Sequence, residues 1–161
     1  MQTFIGIGSN INAVENIKSA MEKMKAEFPG IVFSKVYESA PMYEEDQDSF
    51  LNAVARFETE DSIKVLISKL EEIEKVLGKS KKSKYGPRTI DLDLLLYGDE
   101  VVEEGGMKVP HSKMHERRFV LKPLCELIDP EFVHPEMKIS WLELLEEAEN
   151  QGCKISEDFY L

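Results

Sequence analysis

Asp91 and Asp93 stand two residues apart inside Gly86-Pro-Arg-Thr-Ile-Asp-Leu-Asp-Leu-Leu-Leu96, a run of β-favouring and aliphatic residues. On an extended strand, residues i and i+2 share a face. Two carboxylates therefore project together, with Ile90, Leu92 and Leu94 on the opposite side. Adjacent anions on a rigid strand repel each other unless a cation joins them. A hard divalent ion such as Mg2+ is held in this way, by one or two carboxylates plus water and phosphate oxygens. Immediately upstream, residues 79–88 contain Lys79, Lys81, Lys82, Lys84 and Arg88 and not one of the chain's 31 acidic residues. An acid pair joined to a basic segment suits a metal-bound polyphosphate.

The rest of the chain narrows the choices. A net charge of −11 argues against general binding of nucleic acid or an anionic membrane surface. With 161 residues, 42% apolar and 32% charged, the composition is that of a single globular domain spanning 1–161. No apolar run matches a membrane span or a signal pattern, and Cys125 and Cys153 form no metal-type spacing, so a cytoplasmic protein with reduced thiols is expected. Gly6-Ile-Gly8 lacks the third glycine of a dinucleotide fingerprint, and Gly78-Lys79-Ser80 lacks the earlier glycine and preceding strand of a P-loop.

The elements that must carry these residues follow from periodicity. Phe4 to Gly8 reads as a short buried strand ending in a Gly8-Ser9-Asn10 turn. Val14, Ile17, Met21, Met24 and Phe28 mark a helix stopped by Pro29-Gly30. Residues 31–38 read as a strand, 39–49 as a loop, and Phe50 to Phe57 as a strand. Asp61 is the expected N-cap of a second helix striped by Ile63, Leu66, Ile67, Leu70, Ile73 and Leu77. The acid-pair strand occupies 89–97. A hairpin-like excursion lies between Gly98-Asp99 and Gly105-Gly106, and helices are expected over 116–128, bent or restarted at Pro123, and over 140–149. The order βαββαβ points to an α+β, ferredoxin-like plan, a mainly antiparallel sheet with helices packed on it.

A second cluster, Val109-Pro-His-Ser-Lys-Met-His-Glu-Arg-Arg-Phe119, supplies His111, Arg117 and an aromatic residue. With Gly86 to Gly98, Phe119-Val-Leu-Lys-Pro-Leu124, Gly8-Ser-Asn10 and Phe50-Leu-Asn-Ala-Val54, it closely resembles 6-hydroxymethyl-7,8-dihydropterin pyrophosphokinase over roughly residues 3–135. The resemblance implies transfer of the β,γ-diphosphate of ATP to the pterin hydroxymethyl oxygen, releasing AMP, in folate biosynthesis. It implies two Mg2+ ions on Asp91 and Asp93, with ATP as substrate. Asp91, Asp93, Arg88 and Lys79 would be the catalytic set, and Lys79, Lys81, Arg88, His111 and Arg117 the phosphate shell. Glu74, Leu94 and Ser112 would flank ATP. Phe50 and Phe119 would sandwich the pterin, while Asn52, Asp91 and the Ser39, Ala40 and Met42 segment read its edge. Against the family pattern, Lys79 replaces a frequent arginine, Tyr85 a tryptophan, Phe50 a tyrosine and Ala40 a proline, which bears on rate and pterin affinity.

Small-molecule substrates and a monomer are expected. Two other readings of the acid pair exist: a nucleotidyl- or glycosyl-transferase, and a non-catalytic pterin or nucleotide sensor.

Overall fold

The computed structural model describes residues 1–39, 49–78, 90–148 and 154–156. In chain order these form β1 (Gln2–Ser9), α1 (Ala13–Glu27), β2 (Val32–Phe33), β3 (Tyr37–Ser39), β4 (Phe50–Glu58), α2 (Ile63–Val76) and β5 (Asp91–Tyr97). They continue with β6 (Val102–Glu104), β7 (Met107–Val109), a 3-10 turn (Met114–Glu116), α3 (Arg118–Leu127), α4 (Trp141–Glu147) and β8 (Lys154–Ile155). The main sheet runs β5-β1-β4-β3-β8, with β2 also on β4, and every pairing is antiparallel. The α+β, ferredoxin-like plan is therefore present.

Alternation along the strands separates two apolar layers. Ile5 and Ile7 of β1, Ala53, Ala55 and Phe57 of β4, and Leu92 and Leu94 of β5 bury against Ile17, Met21 and Met24 of α1 and Leu66 and Leu70 of α2. Phe28 stacks on Phe57 with ring centroids 4.2 Å apart, closing the end of that layer. The opposite face carries Phe4, Val54, Leu95 and Leu96, which bury against Leu121 and Leu124 of α3 and Trp141 and Leu144 of α4. A bulge puts two successive leucines on this second face. Phe4 pairs with Leu96 and Ile5 with Leu94, so Leu95 is an extra residue on β5. Upstream of it the leucines face α1 and α2; downstream, Leu95 and Leu96 face α3 and α4.

Several local expectations are corrected. The strand over 31–38 is two short pieces. The Ser34 hydroxyl accepts the Val54 N–H at 2.9 Å, replacing a regular ladder bond with a side-chain one and breaking the strand there. β1 extends through Ser9, so Gly8 lies within the strand rather than at its turn. Ser62, not Asp61, caps α2: its hydroxyl accepts the Val65 N–H at 3.3 Å, while the Asp61 carboxylate pairs with Lys69 at 2.7 Å. Gly105-Gly106 forms the turn of the β6–β7 hairpin, not its end, both residues having positive φ. The third helix starts at Arg118, after the separate 3-10 turn, and contains Pro123 within it; α4 is shorter than expected, at 141–147.

Among the described residues, no helix is long and apolar enough to cross a membrane.

Candidate active site

Strand register assembles the site. Tyr37 pairs with Asn52, Asn52 with Gly8, and Gly8 with Asp91. The next row is Val54, Gly6 and Asp93. Directly opposed residues share a face, so Asn52, Asp91 and Asp93 all project on the side of the sheet that packs α3. That helix and α4 cover only the Phe4 and Val54 end. The Leu95 side chain lies over Gly6, in the Val54 row, and one row further on Gly8 presents its backbone between Asn52 on one side and Asp91 on the other.

A side chain at Gly8 would crowd this floor, since a Cβ there would stand 3.1 Å from Asn52 Oδ1. The Asn52 carboxamide therefore lies over Gly8. Its Nδ2 donates to Ser39 Oγ at 2.8 Å, and both residues are buried. Phe50, half-buried, pairs in register with Ser39. Asp91 and Asp93 are half-buried, while Ile90, Leu92 and Leu94 behind them are buried, the division that the alternation of types required.

The bulged Leu95 carbonyl accepts the His111 backbone N–H at 3.0 Å, which brings the second sequence cluster against β5. His111 Nδ1 accepts the Lys113 N–H at 3.3 Å, leaving Nε2 to carry the proton of the neutral ring. Burial first, then the Arg117 guanidinium, lower the His111 pKa, and the Asp91 carboxylate opposes them. His111 thus sits in the fields of both an aspartate and an arginine. Arg117 lies 5.7 Å from the Phe119 ring centroid, a cation–π distance. Its Nε is buried and without a hydrogen-bond partner among the described residues, a donor that a bound anion would satisfy.

Around the β5 edge lies a cavity of about 350 Å³ lined by Glu74, Asp93, Leu94, His111 and Ser112, together with residues of β7. The sequence-predicted ATP-flanking residues thus share one hollow. Glu74 is buried and accepts the Leu92 N–H at 2.8 Å, so it also braces the strand between the two aspartates. Lys79, Lys81, Arg88, Ala40 and Met42 lie outside the described residues. Sequence reasoning missed Gly8 as the floor and Gly6 as the seat of the Leu95 side chain, although a Gly-x-Gly pair inside a strand signals close approach. It also missed the β6–β7 hairpin as a wall of the cavity.

Among the described residues no group of three or more His, Cys, Asp or Glu is arranged to hold a metal. The donor set is two carboxylates on one strand face. This fits a hard ion that takes its remaining oxygens from water and phosphate, and Mg2+ is that kind of ion.

The His111 environment makes a prediction. In the ligand-free chain its ring should titrate below the ordinary 6.5. As pH falls through 6.5, the unfolded chain takes up a proton that the folded chain does not, so His111 should cost stability from there downward. Ring Cε1–H resonances followed against pH test the direction; a midpoint at or above 6.5 contradicts it.

Known proteins resemble this chain. A family model described as 7,8-dihydro-6-hydroxymethylpterin-pyrophosphokinase matches residues 4–129. The 2-amino-4-hydroxy-6-hydroxymethyldihydropteridine pyrophosphokinase of Haemophilus influenzae is 38% identical over 77% of this chain and 79% of its own length. Folic acid synthesis protein fol1 of Pneumocystis carinii is 38% identical over 94% of this chain but only 20% of its own. The chain spans about a fifth of the length of fol1 relatives of this kind. A crystal structure titled as an HPPK-DHPS in complex with substrates superposes with a TM-score of 0.74 at 14% identity, covering 90% of this chain and 43% of that one, and so shares the fold. With the matched segment running from β1 through α3, across every strand and helix that builds the site, the chain belongs to the 7,8-dihydro-6-hydroxymethylpterin-pyrophosphokinase family.

Proposed function

We propose that this chain transfers the β,γ-diphosphate of ATP to the hydroxymethyl oxygen of 6-hydroxymethyl-7,8-dihydropterin, a step of folate synthesis. The oxygen attacks the β-phosphorus, the bond from that phosphorus to the α–β bridging oxygen breaks, and AMP leaves while the hydroxymethyl proton is released. The observation that carries this reading is positional. Asp91 and Asp93 stand between a nucleotide-sized cavity at the β5 edge and the glycine floor that ends at Asn52.

Each neighbourhood has its own part in the reaction. The cavity, with Glu74, Leu94 and Ser112, takes the adenosine of ATP. His111, neutral with its proton on Nε2, donates to a phosphate oxygen, and Arg117 supplies fixed positive charge through a planar fork. On the other side, Asn52 and Ser39 meet the polar edge of the pterin, with Phe50 and Phe119 offering aromatic faces to its ring. Lys79, Lys81 and Arg88 on the basic segment are read as further phosphate partners, and Ala40 and Met42 as backbone partners of the pterin. Asp91 and Asp93 would hold two Mg2+ ions, which supply charge neutralisation on the phosphates and a lowered pKa at the attacking hydroxyl. The protein's own task is then mainly alignment of nucleophile and phosphorus. We further read the chain as a monomer acting in the cytoplasm, in keeping with its ordinary globular composition of 42% apolar and 32% charged residues.

Incubation with ATP, Mg2+ and the hydroxymethyl dihydropterin, followed by 31P NMR, is expected to show AMP and a pterin diphosphate in equal amounts. Formation of inorganic pyrophosphate or a nucleoside diphosphate would instead mark a different transferase. Binding of both substrates without turnover would mark a sensor.

A further inference from the structure

Near the end of α3, Glu126 reaches across to the segment that leads into β3. Its Oε1 accepts the Lys35 backbone N–H at 3.0 Å, and its Oε2 accepts the Tyr37 hydroxyl. Both carboxylate oxygens are thus engaged by one short stretch of chain, from 91 and 89 residues away in sequence. Tyr37 is buried at 5% exposure, so its hydroxyl needs a partner, and it pairs in register with Asn52. Two residues further on, Ser39 accepts the Asn52 amide.

We propose that Glu126 is a positioning residue for the pterin half of the site. The proposal rests on the diphosphate-transfer reading above. α3 carries Phe119 in its first turn and Glu126 near its last, whereas β3 carries Ser39. By gripping Lys35 and Tyr37, Glu126 fixes the helix that presents an aromatic face against the strand that sets the Asn52 amide. The spacing between those two surfaces decides how well a flat heterocycle fits, and preorganising it saves the ligand that cost.

The topology directs the effect mainly to one substrate, although Arg117 caps the far end of α3. β3 lies beyond β4, while the aspartates and the nucleotide cavity belong to β5, on the far side of β1. Docking of α3 does not depend on Glu126. Leu121 and Leu124 are fully buried under it, and Arg56 Nη1 donates to the Leu127 carbonyl at 2.6 Å. Loss of the grip therefore loosens the slot without releasing the helix.

Steady-state kinetics on the full chain test this. Glu126→Ala is expected to raise the pterin KM about tenfold, with the ATP KM held within about twofold. Tyr37→Phe, which removes one of the two bonds, should raise the pterin KM about threefold. In Glu126→Gln the amide oxygen still accepts the Lys35 N–H and the NH2 can donate to the Tyr37 oxygen, so the pterin KM should recover to within about threefold of wild type. A folded Glu126→Ala with a wild-type pterin KM, or one in which both KM values rise together, overturns the proposal. Should Glu126→Ala not fold, a wild-type pterin KM in Tyr37→Phe overturns it equally. If the wild-type chain itself forms no AMP with the pterin, the underlying reading fails and takes this inference with it; normal wild-type turnover with unresponsive variants defeats the grip alone.

Discussion

Asp91→Asn and Asp93→Asn are each expected to lower kcat by about 10³-fold, the largest effect in the molecule. The substitution keeps size and shape and deletes only the charge. Leu92 and Leu94 supply the packing of this strand from its other face, so the fold should be retained, as a circular dichroism melt would show. The two variants should differ in binding. Asp93 lines the cavity proposed for the nucleotide, whereas Asp91 stands in the row of Gly8 and Asn52. Calorimetry with a non-hydrolysable ATP analogue should therefore show Mg2+-dependent affinity falling further in Asp93→Asn. Near-normal turnover in both variants would end the assignment of this pair to metal.

Arg117→Ala should rank second, with kcat/KM down about 10²-fold, and Arg117→Lys should recover only part of that loss. The reasoning rests on the buried Nε with no partner among the described residues and on the Phe119 ring at 5.7 Å. An unsatisfied donor of this kind is costly until an anion arrives, and the ring restrains the guanidinium in the meantime. Lysine restores the charge without the fork. Removing the guanidinium should also raise the His111 pKa, since Arg117 is among the causes that lower it. Equal kinetics for Lys and Arg would show that only charge matters here.

What the sequence made legible was local. Alternation in Asp91-Leu-Asp-Leu94 was enough to put carboxylates on one face and leucines on the other. The helical stripes and the α+β order followed from periods of the same kind, and the family resemblance attached roles to residues. Placement across the sheet was not legible. That Asn52 would share a row with Gly8 and Asp91 depends on the registers of three strands, which no local pattern encodes. Neither does any spacing connect Tyr37 to Glu126. The two histidines outside the 3-10 turn make the same point. His111 is drawn to the site by a backbone bond to Leu95, whereas His134 is buried with Nδ1 accepting two backbone N–H groups, from Glu136 and Met137. Identical side chains were separated by tertiary surroundings alone. At Asp61 and Ser62, two good caps stood side by side, and backbone geometry selected the second.

The odd residue in β5, Leu95, serves the imidazole and not the acids. Leu96 pairs with Phe4 and Leu94 with Ile5, so a chain without Leu95 would zip into a regular ladder, with Asp93 still opposite Gly6 and Asp91 opposite Gly8. What would vanish is the carbonyl that fastens the His111 backbone. One surplus residue is thus the rivet between two distant stretches of chain: the carboxylates keep their face without it, and the ring loses its mooring.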